Sequence, residues 1–270
     1  MKDNIEKMQL ILSRDLRTII ESYTWHEILV GLSGANTFFL ESKQDHNQNY
    51  FLKILRNNSR ASDKLFSEKE RIIWLEGKLP VPKVVHYEKT NGYEFLLMTQ
   101  IVGGNAADLI HAIDIPRIIT IYAEGLKRIH NLDVKDCPFQ IDLDLKIKKA
   151  HERVLDGSVT GDDFEEQYKE IKPKDLFRLL INSIPKEHEL VFTHGDYCLE
   201  NIILFENELS GFIDWDGGGI ADKYQDIALA IRSIEHYFGV QWIDLFYEKY
   251  GLYEVNKEKV EFYILLDEFF

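Results

Sequence analysis

Apolar residues at Met8, Ile11, Leu12, Leu16 and Ile19 recur at helical spacing and predict an amphipathic helix over 3–20. Three runs rich in β-branched and aromatic residues follow at 25–30, 37–42 and 50–55, separated by turn residues, and these predict strands. The glycine-bearing turn 31–36 joins the first two. Helical spacing returns at 59–77, with Leu65, Ile72 and Leu75 on one face. Strands are expected again at 83–87 and 93–98, with Asn91-Gly92 as the hairpin turn between them. The first hundred residues thus predict a five-stranded, largely antiparallel sheet crossed by one helix. Beyond Gly103 the pattern is mostly helical: 105–112, 115–131, 141–155, 162–170, 174–183, 221–238, 241–250 and 257–270. Pro116 falls early in its helix, where a missing amide donor is tolerated. Only 190–214 reads as strand-like, and no internal repeat is visible.

Composition narrows the class. A chain of 270 residues, 45% hydrophobic and 12% aromatic, can bury a sizeable core as one large or two small domains. No apolar run reaches the length that spans a bilayer, and the amino-terminal residues do not resemble a signal peptide. A cytoplasmic protein is expected. Cys137 and Cys198 are too few for a disulfide framework and fit no zinc spacing. Residues 1–101 carry 14 basic and 13 acidic side chains, whereas 102–270 carry 18 and 33, so the whole acidic excess lies in the second part. Such a field repels nucleic acid and anionic membrane and attracts cations. Solubility alone is the other reading of a net charge of −14. A cationic small molecule is the partner expected, and no obligate protein partner is inferred.

The chemistry is concentrated in one segment. Asp196 follows His194-Gly195, Asn201 stands five residues later, and Asp214 closes Phe212-Ile213-Asp214. Phosphoryl transfer from a nucleoside triphosphate needs one carboxylate to orient the attacking hydroxyl. It also needs a neutral oxygen and a second carboxylate to hold Mg²⁺ against the phosphates. Taken singly, Asp196 could cap a turn and Asn201 could serve a loop. In this order, on loops flanked by Leu190-Val191-Phe192, Ile202-Ile203-Leu204 and Gly211-Phe212-Ile213, the three point to a phosphotransfer site. Loops on adjacent strands would bring Asp196, Asn201 and Asp214 together.

Lys53 lies in the apolar strand run Phe51-Leu52-Lys53-Ile54, and an inward ammonium there requires an anionic partner. Glu68 shares a helical face with Leu65, Ile72 and Leu75, so a Lys53–Glu68 pair would fix the ammonium beside the phosphates. Glu70 competes for that role, and an exposed lysine with a solvated glutamate is the structural alternative. The 31–36 turn could cover phosphates with its amides and the Ser33 hydroxyl. No Walker A sequence occurs, because Gly77-Lys78 is followed by Leu79. Asp216 reads as a solvated loop carboxylate, and Cys198 as a packing residue without a base to activate it.

At these residues the chain resembles the aminoglycoside phosphotransferases, in particular the subclass that modifies the 3′-hydroxyl. The likeness runs through Trp74-Leu75-Glu76-Gly77-Lys78-Leu79-Pro80-Val81-Pro82-Lys83, Asp136-Cys137-Pro138-Phe139, Phe192-Thr193-His194-Gly195-Asp196, Asp226-Ile227-Ala228 and Tyr263-Ile264-Leu265-Leu266-Asp267-Glu268. It implies an α+β, bilobal, protein-kinase-like fold. Residues 1–98 would form the nucleotide-binding lobe, 99–102 the hinge, and 103–270 the larger, mostly helical catalytic and substrate-binding lobe, with 136–185 on the substrate side.

The resemblance further implies Asp196 as the catalytic aspartate, Asn201 and Asp214 as Mg²⁺ ligands, and Lys53 with Glu68 as the phosphate anchor for ATP or GTP. Phe51 would stack on the base, Thr99 and Ile101 would read its edge through their backbone, Ile213 would line the nucleotide site, and Ser33 would cover the phosphates. Drug amines would meet Asp162, Asp163, Glu165, Glu166, Asp267, Glu268 and the carboxylate of Phe270, along with Asp196. Gly217 stands where relatives carry an arginine, and His236-Tyr237 replaces an acidic pair. Two rival readings are a kinase of the same fold acting on a macrolide or choline-like metabolite, and a non-catalytic nucleotide-binding module. Retention of Lys53, Asp196, Asn201 and Asp214 together argues against the second.

Overall fold

The computed structural model describes residues 2–28, 34–44, 48–57 and 64–270. Ser33 and half of the 31–36 turn, 31–33, fall outside them. The chain divides into two compact units, one formed by 1–103 with 210–216 and the other by 104–209 with 217–270.

The first unit begins with two helices, α1 (Lys2–Ile11) and α2 (Arg14–Ile20), where one was expected over 3–20. Ser13 is the reason: its extended backbone breaks the helix, and its hydroxyl accepts from the Leu16 amide at 3.1 Å as an N-cap. Strands β1 (Tyr23–Ile28), β2 (Asn36–Ser42), β3 (Tyr50–Arg56), β4 (Val84–Thr90) and β5 (Tyr93–Thr99) form one antiparallel sheet in the order β1-β2-β3-β5-β4. Asn91 and Gly92 turn β4 into β5 with φ of 52° and 78°, the left-handed pair that a tight hairpin requires.

Alternation along β3 sorts its side chains. Leu52 and Ile54 enter a core shared with Leu12, Leu16, Phe38 and Phe95, so the amino-terminal helices cover that face. Phe51, Lys53 and Leu55 point the other way. Helix α3 (Lys64–Leu75) presents Leu65, Glu68, Ile72 and Leu75 as its buried stripe, the face expected from the sequence.

The second unit is mostly helical. Its helices are α4 (Ile115–His130), α5 (Leu143–Leu155), α6 (Pro173–Asn182), α7 (Tyr224–Phe238), α8 (Ile243–Tyr250) and α9 (Lys257–Asp267). Helix α4 packs on α8, and α7 on α9. Short strands β6 (Gly104–Asn105) and β8 (Ile202–Phe205) pair antiparallel, as do β7 (Leu190–Thr193) and β10 (Gly219–Asp222). The chain then leaves β8 through Glu206 and Asn207, both with positive φ, into β9 (Glu208–Phe212).

Three expected helices are corrected. Residues 105–112 form turns, because Gly104 and Asn105 join β8 and the Asn105 side chain caps the Asp108 amide at 2.8 Å. Over 162–170 the backbone makes a single 3₁₀ turn at Gly161–Asp163 and then isolated turns, such as that closed by the Tyr168 amide on the Glu165 carbonyl at 2.8 Å. There the Glu165 amide is taken by the Glu268 carboxylate at 2.8 Å. The helix expected at 221–238 starts at Tyr224, since 219–222 pair with β7 as β10.

Candidate active site

In the first unit, the Lys53 ammonium donates to Glu68 Oε1 at 2.7 Å and to Asp214 Oδ1 at 2.6 Å. Glu68 is only 1% exposed. Glu70, the competing candidate, pairs instead with Lys69 at 2.6 Å. Asp214 holds a left-handed backbone, φ 67°, a conformation that costs a non-glycine residue energy and here accompanies the side chain's contact with Lys53. Asp216 lies 3.8 Å from Lys64, and both line a small cavity with Lys53, Leu65, Glu68 and Asp214.

Burial lowers the Lys53 ammonium, but the fields of Glu68 and Asp214 more than reverse this and keep it well above its ordinary value. Burial pushes the Glu68 carboxyl up to about 7 against the pull of Lys53. With a cation at 2.7 Å, the geometry favours the ionised pair near neutral pH.

The other nucleotide candidates lie in the same unit. Phe51, two residues from Lys53 on the same face, packs against Phe39 with ring centroids 5.2 Å apart. The Thr99 amide donates to the Lys83 carbonyl at 2.9 Å, so a base edge at Thr99 would have to be read by its carbonyl. Ile101 and Ile213 are half-buried. A Cβ on Gly211 would sit 2.6 Å from both Ile101 Cδ1 and the Pro80 carbonyl, so that close approach requires glycine.

In the second unit, the loop from His194 to Asn201 is fixed from several sides. Asp226 on α7 is fully buried and accepts from the His194 amide at 2.6 Å and the Gly195 amide at 2.8 Å. His130 on α4 bridges Asp226 at 3.1 Å and the Tyr250 hydroxyl at 2.8 Å. Gly195 has φ 88°, and a Cβ there would meet the Gly217 carbonyl at 2.2 Å, so no other residue fits.

Tyr122 and Tyr197 stack at 4.6 Å, and each hydroxyl donates to the other's carbonyl at 2.7 and 2.6 Å. Ser233 caps the Leu199 amide at 3.1 Å. On this scaffold the Asn201 amide donates to the Asp196 carbonyl at 2.9 Å and to its Oδ2 at 3.0 Å, which leaves the Asn201 side-chain oxygen turned elsewhere. Burial, reinforced by Asp196 and Glu200, pushes the Cys198 thiol up, in keeping with a packing role.

The acidic candidates divide. Glu165, Asp267 and Glu268 gather on Arg232 of α7 at 3.5, 2.8 and 3.8 Å. Glu166 instead pairs with Lys169 at 2.5 Å, and Asp162 is exposed. For Asp163 only the backbone is described. The Phe270 ring lies under Lys146 at 5.3 Å, and its carbonyl accepts from Arg153 at 3.4 Å. Burial lowers Lys146 despite the pull of Asp267, Asp226 and Asp196. At the departing pair, the Tyr237 hydroxyl donates to Glu200 at 2.5 Å.

Sequence reasoning missed Asp226 and Arg232. The signal was present: each is a charge inside the apolar run of α7, where a partner is obligatory.

Residues 24–263 match the model of the phosphotransferase enzyme family. An aminoglycoside 3′-phosphotransferase of Niallia circulans is 39% identical over 89% of this chain and 90% of its own length. One from Enterococcus faecalis is 35% identical over 96% and 98%. The crystal structure of an aminoglycoside-3′-phosphotransferase of type VIII superposes with a TM-score of 0.82 at 30% identity, covering 95% of this chain and 97% of that one. The chain belongs to the phosphotransferase enzyme family, with the protein-kinase-like α+β fold.

Proposed function

We propose that this protein transfers the γ-phosphate of ATP or GTP to the 3′-hydroxyl of an aminoglycoside, a reaction that confers resistance to the drug. The observation that carries the reading is Lys53 bound at hydrogen-bond distance by both Glu68 and Asp214. An ammonium held there by two carboxylates is the anchor that nucleotide phosphates require. Support also comes from the Asp196–Asn201 contact and from relatives named for this activity at 35–39% identity.

In this reading 1–98 and the hinge 99–102 take the nucleotide. Phe51 stacks on the base, Thr99 and Ile101 meet its edge, Ile213 lines its site, and Ser33 covers the phosphates. Within 103–270, Asp196 orients the acceptor hydroxyl and receives its proton. A loose phosphoryl transition state asks little of a base, so alignment by Asp196 and charge neutralisation by Lys53 contribute most.

Asn201 and Asp214 fit Mg²⁺, since both offer hard oxygen donors. When bound, the ion supplies charge neutralisation at the phosphates. The amines of the drug are met by Asp162, Asp163, Glu165, Glu166, Asp267, Glu268 and Phe270, in line with the acidic excess of this part. We place the protein in the cytoplasm; no helix among the described residues is long and apolar enough to cross a membrane.

The test is turnover by purified protein with Mg²⁺ and either nucleotide, scored by mass change of the acceptor. Kanamycin- and neomycin-type drugs should gain one phosphoryl group, while macrolides and choline should not. Phosphorylation of the latter set alone would overturn the substrate assignment.

A further inference from the structure

Arg232 is the one residue of α7 between Tyr224 and Ile234 that is not buried, and it is flanked by Ile231 and Ser233, which are. Each of its three nitrogens faces a different carboxylate: Nε to Glu165 at 3.5 Å, Nη2 to Asp267 at 2.8 Å and Nη1 to Glu268 at 3.8 Å. The Glu165 amide donates to Glu268 Oε2 at 2.8 Å, so the 161–170 segment and the carboxy-terminal turn are tied at the same point. Three carboxylates around one guanidinium leave two negative charges in excess.

Glu268 is 7% exposed, and its Oε1 is a buried acceptor with no hydrogen-bond partner. At 3.8 Å the guanidinium does not satisfy it. A buried carboxylate oxygen without a donor is costly unless a ligand supplies one.

We propose that Arg232 is a positioning residue of the acceptor site, tying Glu165, Asp267 and Glu268 into one anionic surface that receives a substrate ammonium. This rests on the aminoglycoside reading above. Arg232 touches no reacting atom; it acts by preventing three like charges from separating. Its fork makes three contacts that a lysine's point charge cannot reproduce together.

The test compares steady-state kinetics with kanamycin for wild type, Arg232→Met, Arg232→Lys and Glu170→Gln. Arg232→Met should raise the acceptor KM by about ten- to a hundredfold, the range for truncating one member of a charged pair in a binding site. The KM for nucleotide and kcat should each stay within about threefold, because Lys53 and Asp196 are untouched. Arg232→Lys should recover part of the acceptor KM. Glu170→Gln removes one exposed acidic charge of the same segment outside the cluster, and should change it by less than about threefold.

An unchanged acceptor KM in both Arg232 variants would overturn the role, as would an equal effect from Glu170→Gln. A parallel loss of kcat and of both KM values would assign Arg232 to general folding instead. If Arg232→Met does not fold, Arg232→Lys alone decides by the same criteria. A wild type that turns over none of the drugs would refute the function reading, and with it any acceptor site to organise. Turnover with flat Arg232 kinetics would refute only this proposal.

Discussion

Each unit holds a cation among carboxylates, and the two clusters are built to opposite ends. Around Lys53, two carboxylates meet one ammonium whose side chain is 12% exposed, and Glu68 is almost entirely enclosed. Around Arg232, three carboxylates meet a guanidinium that is 36% exposed, and one buried oxygen remains without a donor. The first arrangement fixes a cation for an anionic ligand. The second fixes an excess of anions for a cationic one. Burial makes the first a matter of stability as well as function, whereas exposure makes the second mainly a matter of affinity.

The strongest way to break this division of labour is at Asp196. Replacing it with Ala should lower kcat by about a hundred- to ten-thousandfold, while nucleotide affinity, measured by calorimetry, stays within about threefold. A mutant that keeps near-wild-type turnover would remove Asp196 from the chemistry. Loss of nucleotide binding in it would show that the two units do not divide the ligands as described.

A smaller effect separates the two cations by stability. Lys53→Met leaves Glu68 buried without its partner and should cost about 3 kcal/mol in urea unfolding. Arg232→Met, at a more exposed site, should cost about 1 kcal/mol or less. Equal losses would erase the distinction between the clusters.

The smallest expected effect is a pH dependence at the acceptor. Burial raises the Glu268 carboxyl above its ordinary 4.5, assisted by the Glu165 and Asp267 carboxylates and opposed by the Glu165 amide and Arg232. Tyr168 faces the same group. A raised carboxyl takes its proton earlier on acidification, so the acceptor KM should begin to climb above pH 4.5, before ordinary carboxylates titrate. For stability the sign is opposite: this group's contribution is present below its unfolded value and is lost as pH rises through the folded one. Glu268→Gln should flatten the early rise in KM, and an unchanged profile in that variant would assign the titration to another group.

Much of this was legible from local pattern. Runs of β-branched and aromatic residues between turns located the five strands, and the apolar neighbours of Lys53 called for an anionic partner. Helical spacing placed Glu68 toward the sheet, and Asn91-Gly92 marked its hairpin. These succeed because burial on one face selects residue type at a fixed period. The 162–170 segment failed for the converse reason: its spacing was helical, but the Glu165 amide found a partner a hundred residues away on Glu268. The 105–112 segment failed likewise, claimed by pairing with β8.

By itself, then, the sequence determined which residues could carry phosphotransfer chemistry and the helical face on which Glu68 stands, because motif order and side-chain period are local properties. Only tertiary structure decided that Lys53 takes Glu68 rather than Glu70, that Asp226 clamps the His194–Gly195 backbone, and that three of the acidic candidates converge on Arg232 while Glu166 does not. Those choices depend on burial and on distances between residues remote in the chain, and neither is encoded in spacing along it.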